Sequence, residues 1–358
     1  MPGLAILWEQ WTGYLDASVR ALCSRHPVRL LRAHVRPVPE APFRPEDFIA
    51  AEQVYTFDSR PEQSELAALL ERFQPDALLV ASWHRPEYRR IARSFSGRAT
   101  RIVGMDNQWH GTLKQWGGRL IAPFFIQPAY DKALVAGPRQ RAFARRLGFA
   151  EAAIREPLYA CDVAAFARVE PNFERGKFLF VGRLVEEKGV GLLVDAYRAY
   201  RARAGMKAWG LIVAGVGPLR PLVTGVEGIE CRDFVQPAEL ASLYAEASCL
   251  VLPSRFEPWG VVLHEAVAAG LPVICSKACG AGDVFVRHGR NGFVFETGDP
   301  SALAGFLGEL AGLPAATLRQ FSELSRAASR TITPEVWADV MWTMIGRDGK
   351  DSTADRGR

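Results

Sequence analysis

The stretch PSRFEPWGVVLHEAVAAGLPVICS, residues 253–276, decides how this chain folds. The apolar run before it, Cys249-Leu250-Val251-Leu252, reads as a buried strand. A polar loop then holds Glu257, and a helix over 259–269, with Pro258 in its first turn, carries Glu265 inward. Leu271 to Cys275, straight after Gly270, reads as a second buried strand. Strand, acidic loop, helix and strand make one βαβ unit, with its carboxylates at the carboxyl edge of a parallel sheet. The eight-residue step from one acid to the other advances about 12 Å along a helix and rotates to within roughly 80° of the start. Glu257 and Glu265 then reach opposite ends of one extended ligand, while the N–H groups of Trp259 and Gly260 face an anion at the helix start. A sugar nucleotide has this layout: sugar hydroxyls, then a diphosphate, then ribose hydroxyls. The plainer reading is a solvated loop glutamate and a second one on a helix surface.

Outward from that unit, strand and helix patterns alternate. In the first half, strands read over 4–8, 28–35, 48–55, 77–81, 101–105 and 132–136, with helices through Leu22 and over 61–73 and 139–147. In the second, strands read over 177–182, 209–214, 248–252 and 271–275, with helices over 189–203, 237–246 and 259–269. This is an α/β chain with parallel sheets covered on both faces. At 358 residues it is long enough for two domains. They are read as 1–168 and 169–333, with a linker near 158–176. A helix over 334–346 places Val336, Trp337, Val340, Met341 and Met344 on one face, and residues 347–358 read as a disordered tail.

Charge is unevenly placed. Residues 1–168 hold 23 Lys and Arg against 17 Asp and Glu, whereas the remainder holds 21 against 22. The basic first half suits either contact with anionic membrane or acceptor, or solvated arginine-rich helix faces. No zinc-finger, RNA-binding or basic-zipper pattern is present, so nucleic acid is not expected as a partner. Six cysteines without a CxxC pair, no run of about 18 apolar residues and no signal-peptide order at the start point to a reduced, cytoplasmic protein.

Several strand ends carry further candidates. Gly182-Arg183 and Lys188-Gly189 flank a turn where two cations can converge on a diphosphate. Gly215 and Gly217, in Ala-Gly-Val-Gly-Pro, form a turn that lets backbone pass close to a ligand, and Gly280-Ala281-Gly282 forms another. In the first half, the strand 101–105 ends in Asp106-Asn107-Gln108-Trp109-His110. Trp8, Trp11, Trp109 and Trp116 suit either sugar stacking or core packing. No Asp-x-Asp follows a strand, so no metal ion or cofactor is expected.

Taken together, these residues resemble the E-x7-E signature of retaining GT-B glycosyltransferases (group 1, family 4), closely over 173–312 and in topology only over 1–168. The resemblance implies two Rossmann-like domains facing across a cleft, the second binding the donor and helix 334–346 packing back on the first. It implies sugar transfer from a UDP- or GDP-sugar to an acceptor hydroxyl, in saccharide or lipid-linked saccharide synthesis. Glu257 then contacts the donor sugar, Glu265 the ribose, and Arg183 with Lys188 the diphosphate. Gly215, Gly217, Val235, Trp259, Gly260 and Gly282 line the donor site. His110, with Asp106 second, reaches the donor sugar, while Gly13, Asp106 and Trp109 fall on the acceptor side. A pair of glycines is usual where Gly13 stands alone. Rival readings are a GT-B sugar-nucleotide epimerase, a phosphorylase and a catalytically silent sugar-nucleotide sensor or scaffold.

Overall fold

Short runs that are apolar on both faces become fully buried strands here, as a parallel sheet covered by helices on either side requires. A computed structural model of the chain describes residues 1–36, 42–44, 48–58, 60–81, 83–174 and 176–346. The expected tail, 347–358, lies outside the described residues. The chain divides into two compact units: residues 1–36, 45–159 and 334–358 in the first, 37–44 and 160–333 in the second.

The first unit runs β1 (Gly3–Leu7), α1 (Gly13–Arg25), β2 (Arg29–Val35), β3 (Gln53–Phe57), α2 (Gln63–Phe73), β4 (Ala77–Val80), α3 (Pro86–Ser94), β5 (Thr100–Met105), α4 (Leu113–Phe125), β6 (Lys132–Val135), α5 (Pro138–Arg146) and β7 (Ile154–Arg155). Its strands pair in the order β3-β2-β1-β4-β5-β6-β7, all parallel. The strand expected over 48–55 is found at Gln53–Phe57. Residues just before it are held by side chains instead: the Ile49 N–H donates to Asp16, and Arg32 donates to the Ile49 carbonyl.

The second unit runs α6 (Val163–Phe166), β8 (Lys177–Val181), α7 (Val190–Ala204), β9 (Gly210–Ala214), β10 (Ile229–Arg232), α8 (Pro237–Ala245), β11 (Cys249–Leu252), α9 (Val261–Ala268), β12 (Val273–Ser276), α10 (Gly282–Phe285), β13 (Gly292–Phe295), α11 (Pro300–Ala311) and α12 (Ala315–Ser329). Its sheet has the order β10-β9-β8-β11-β12-β13, again all parallel. The helix expected over 259–269 starts only at Val261. Gly260 has a φ of +98°, a left-handed conformation outside the helical range, so Pro258 and Trp259 stay in the loop. The unit begins at Ala160 rather than at 169. Residues 160–169 belong to it because Phe166 packs on Tyr244, while Arg326 donates to the carbonyls of Ala167 and Val169.

The last helix, α13 (Pro334–Ile345), belongs to the first unit and lies along α1. Arg25 pairs with Asp339 at 3.0 Å, His26 stacks on Trp342 with ring centroids 4.5 Å apart, and the Trp337 indole donates to the Leu158 carbonyl. Its buried face is Trp337, Ala338, Met341, Met344 and Ile345. The expected stripe is therefore rotated by about one residue, and Val336 lies 39% exposed.

Candidate active site

In the second unit the strand order reverses between β8 and β11, so the loops leaving those strands turn to opposite sides and open a crevice at the sheet's carboxyl edge. The loop after β8 carries Gly182 to Lys188, and the loop after β11 carries Pro253 to Gly260. They meet through two ion pairs, the looser one Arg255 with Glu186 at 3.6 Å, and through the Glu187 carbonyl, which accepts from the Arg255 and Phe256 N–H groups. Lys188 Nζ lies 2.6 Å from Glu257 Oε2, and the Ser254 hydroxyl donates to the same oxygen at 3.2 Å. The side chains are only 18% and 8% exposed, so the pair is poorly screened and well fixed. Gly189, at φ +71°, allows this approach: a Cβ there would stand 2.2 Å from the Pro253 carbonyl oxygen. Arg183 lies apart from this cluster, half-exposed and 3.6 Å from Glu187 on its own loop.

Two more loops join the same edge. The Gly182 N–H donates to the Ala214 carbonyl and the Leu184 N–H to that of Val216, which zips the turn after β8 to the glycine turn after β9. At Gly215, with φ +146°, a Cβ would sit 1.9 Å from the Gly182 carbonyl oxygen. Gly215→Ala is therefore expected to lower unfolding free energy by about 3 kcal/mol or more; a chemical denaturation midpoint equal to the parent's would contradict this close approach. On the other side, the Gly280 N–H donates to the Glu257 carbonyl and the Ala281 N–H to that of Trp259. Gly282 starts α10, and a Cβ there would stand 3.1 Å from Cys275 Sγ. Val235 sits half-buried in the loop after β10, beside Phe234, whose ring meets Phe43 edge-on at 5.3 Å.

Behind the loops, α9 carries Glu265 into a dry setting. The Tyr244 hydroxyl donates to Glu265 Oε2 at 2.9 Å. Burial nevertheless dominates and pushes the carboxyl up to about 7, the Tyr244 bond opposing the rise. The adjacent His264 is held neutral: burial lowers it to about 4, and its ring lies flat on Phe285. The Trp259 indole is also buried, with its N–H unpartnered. Ser254 and Tyr244 escaped the sequence reading. Ser254 was within reach of it, being a small polar residue at a strand end; Tyr244 was not, because nothing local ties α8 to α9.

The first unit has its own strand-order reversal, between β1 and β4. A cavity of about 240 Å³ opens there, lined among others by Glu9, Thr12, Tyr14, His84, Asp106 and Tyr159. Tyr159 donates to Asp106 Oδ2 at 3.1 Å, and Arg85 holds Glu9. The Thr12 hydroxyl is buried without a partner. Thr12 and Tyr14 flank Gly13, the first residue of α1. Asp106 thus faces this cavity. His110 lies four residues on and is exposed, its backbone N–H donating to Gln115. Trp109 packs against Phe143, Trp116 and Arg146. Trp8 lines the cavity, whereas Trp11 lies in the core and donates to Asp16. Among the described residues, no three His, Cys, Asp or Glu side chains cluster as a metal site.

Four strand-end loops of the second unit thus converge on a carboxylate, a lysine and glycine turns, and comparison with known proteins places that unit. Residues 175–312 match the family described as glycosyl transferases group 1. An uncharacterized glycosyltransferase of Methanocaldococcus jannaschii is 33% identical over 133 residues, 35% of this chain and 33% of that protein. The chain spans well under half the length of such curated relatives, 33% and 42% for two of them. Among solved structures, sucrose-phosphate synthase from Thermosynechococcus elongatus aligns over 96% of this chain and 98% of its own, with a TM-score of 0.73 at 17% identity. Anabaena HepE in complex with UDP aligns over 96% and 99%, with a TM-score of 0.72 at 16% identity. The fold is that of two-domain, Rossmann-like GT-B glycosyltransferases.

Proposed function

We propose that the chain is a retaining, metal-independent glycosyltransferase that moves a sugar from a UDP- or GDP-sugar to a hydroxyl of a saccharide or lipid-linked saccharide. The observation that carries this reading is the Lys188–Glu257 pair at the strand-order reversal of the region matching group 1, with Glu265 buried eight residues beyond. On this reading Glu257 orients the donor sugar, Glu265 takes the ribose hydroxyls, and Lys188 with Arg183 stabilises the departing diphosphate. The glycine turns at 215–217 and 280–282, with Val235, Trp259 and Gly260, shape the donor pocket. On the acceptor side, Asp106, Gly13 and Trp109 bind the incoming saccharide, and His110 reaches the donor sugar.

Transfer proceeds at the front face. The acceptor oxygen bonds to the anomeric carbon as the bond from that carbon to the diphosphate oxygen breaks. The acceptor proton passes to the departing diphosphate, and configuration is kept. Two cations and fixed backbone dipoles carry the growing charge on the leaving group, the task a metal ion performs elsewhere. Work takes place at the cytoplasmic face of a membrane in contact with anionic lipid, in envelope polysaccharide or glycolipid synthesis.

Incubation with UDP-, GDP- and ADP-sugars, with and without saccharide acceptors, is expected to release nucleotide from one donor class, faster with acceptor and unchanged by EDTA. Binding without release under every condition would favour a silent sensor. Loss of release in EDTA would overturn metal independence.

A further inference from the structure

Helix α4 is anchored on one side and bare on the other. Gln115 bonds back to the loop before it, accepting from the His110 N–H and donating to the Gln108 carbonyl. Ala122 is buried, Trp116 meets Trp109 edge-on, and Arg93 of α3 donates to the carbonyls of Phe124 and Phe125. Yet Leu113 is 90% exposed, Leu120 75% and Phe124 72%. At about 100° per residue, Leu113, Gly117, Leu120 and Phe124 fall within about 60° of one another, opposite Ala122. Ile121 and Trp116, also exposed, widen this face. Single exposed apolar residues are ordinary on soluble proteins, but a continuous stripe over three helical turns is not.

The charges around the stripe choose its occupant. Residues 107–130 contain no Asp or Glu, while Lys114 and Arg119 flank the apolar face on its two sides. Arg119 stacks over the Trp116 ring at 5.4 Å, and Arg146 over Trp109 at 5.3 Å. Apolar side chains at the centre, with tryptophan and cations at the margins, match the depth profile of a bilayer interface. Thirteen helical residues reach about 20 Å, short of the roughly 30 Å hydrocarbon core, so the helix can lie in the interface but cannot span it.

We propose that α4 is an in-plane anchor that inserts Leu113, Leu120, Ile121 and Phe124 into an anionic lipid surface, with Lys114 and Arg119 at headgroup level. This rests on, and localises, the membrane-contact part of the proposed function. The test is co-sedimentation of the whole chain with vesicles of phosphatidylcholine alone or mixed equally with phosphatidylglycerol, without donor or acceptor. Binding is expected to be about tenfold stronger to the anionic vesicles and to fall with salt. Leu120→Glu combined with Phe124→Glu should weaken it about tenfold with an unchanged melting temperature, since both residues are exposed. Lys114→Gln with Arg119→Gln should remove most of the preference for anionic lipid. Three outcomes overturn the proposal: no vesicle binding at low salt, binding unaffected by the double glutamate variant, or a solution dimer that this variant dissolves, which would make a second copy the occupant. Vesicle binding is read without sugar nucleotide, so its failure leaves the transferase reading standing, and loss of nucleotide release leaves the anchor standing.

Discussion

Glu257→Ala is expected to lower sugar transfer by about a thousandfold or more, roughly 4 kcal/mol of transition-state stabilisation, while nucleotide binding stays within a few-fold of the parent. The carboxylate is preorganised, fixed by Lys188 at 2.6 Å and by the Ser254 hydroxyl, so its removal deletes an oriented group and not a wandering one. The change also frees Lys188. A lysine no longer neutralised by Glu257 offers its full charge to a diphosphate, so UDP or GDP should bind as well as before or slightly more tightly. Glu257→Gln keeps the shape and the Ser254 contact, and should fall between the two in rate. Calorimetric titration with nucleotide beside steady-state transfer rates separates these effects. Near-normal transfer by the alanine variant would remove Glu257 from the donor site.

The second large effect concerns Glu265, whose carboxyl is pushed up to about 7 by burial from an ordinary value of 4.5. Between those values the folded chain holds a proton that the unfolded chain has released. Stability therefore falls as pH rises through that window, by at most about 3 kcal/mol once both states are ionised. Glu265→Gln lacks this charge and can still accept the Tyr244 hydrogen bond. At pH 8 it should melt above the parent, and near pH 4 the two should coincide. Its donor affinity should move the other way, weakening about tenfold or more, because an ionised acceptor for two hydroxyls has become a neutral one. Parent affinity for donor should improve as pH rises through 7, and the glutamine variant should show a flatter profile. A variant that is less stable at pH 8, or that binds donor as well as the parent, would falsify this account of Glu265.

The parts of the molecule that local pattern controls were legible. Strands such as Cys249–Leu252 are short, apolar on both faces and bounded by turns, so their place and type follow from residue order. Lys188 and Glu257 lie 69 residues apart, yet both stand just past strand ends, which a βαβ chain collects on one edge. Where the reading fell short, the cause is non-local or conformational. Helix α4 contains Gly117, Gly118 and Pro123, which argue against a helix until its anchoring by Gln115 and Arg93 is seen. The first unit's cavity adds Glu9 and His84 to the expected Asp106, and neither of these two sits in a motif. The start of α9 turned on the backbone angle of Gly260, which residue identity permits without demanding.

Helix α13 has a consequence for the order in which the chain comes into being. The first unit is built from residues 1–36 and 45–159, but its last helix lies beyond the whole second unit. Arg25 of α1, the His26 ring just after it, and the Leu158 carbonyl that takes the Trp337 indole wait for a partner encoded about 175 residues downstream of Leu158. During vectorial synthesis residues 160–333, which are continuous in sequence, emerge complete before that partner does. The unit translated first is thus the one finished last, and a chain interrupted anywhere before Pro334 carries a bare flank on α1 however well its second half has folded.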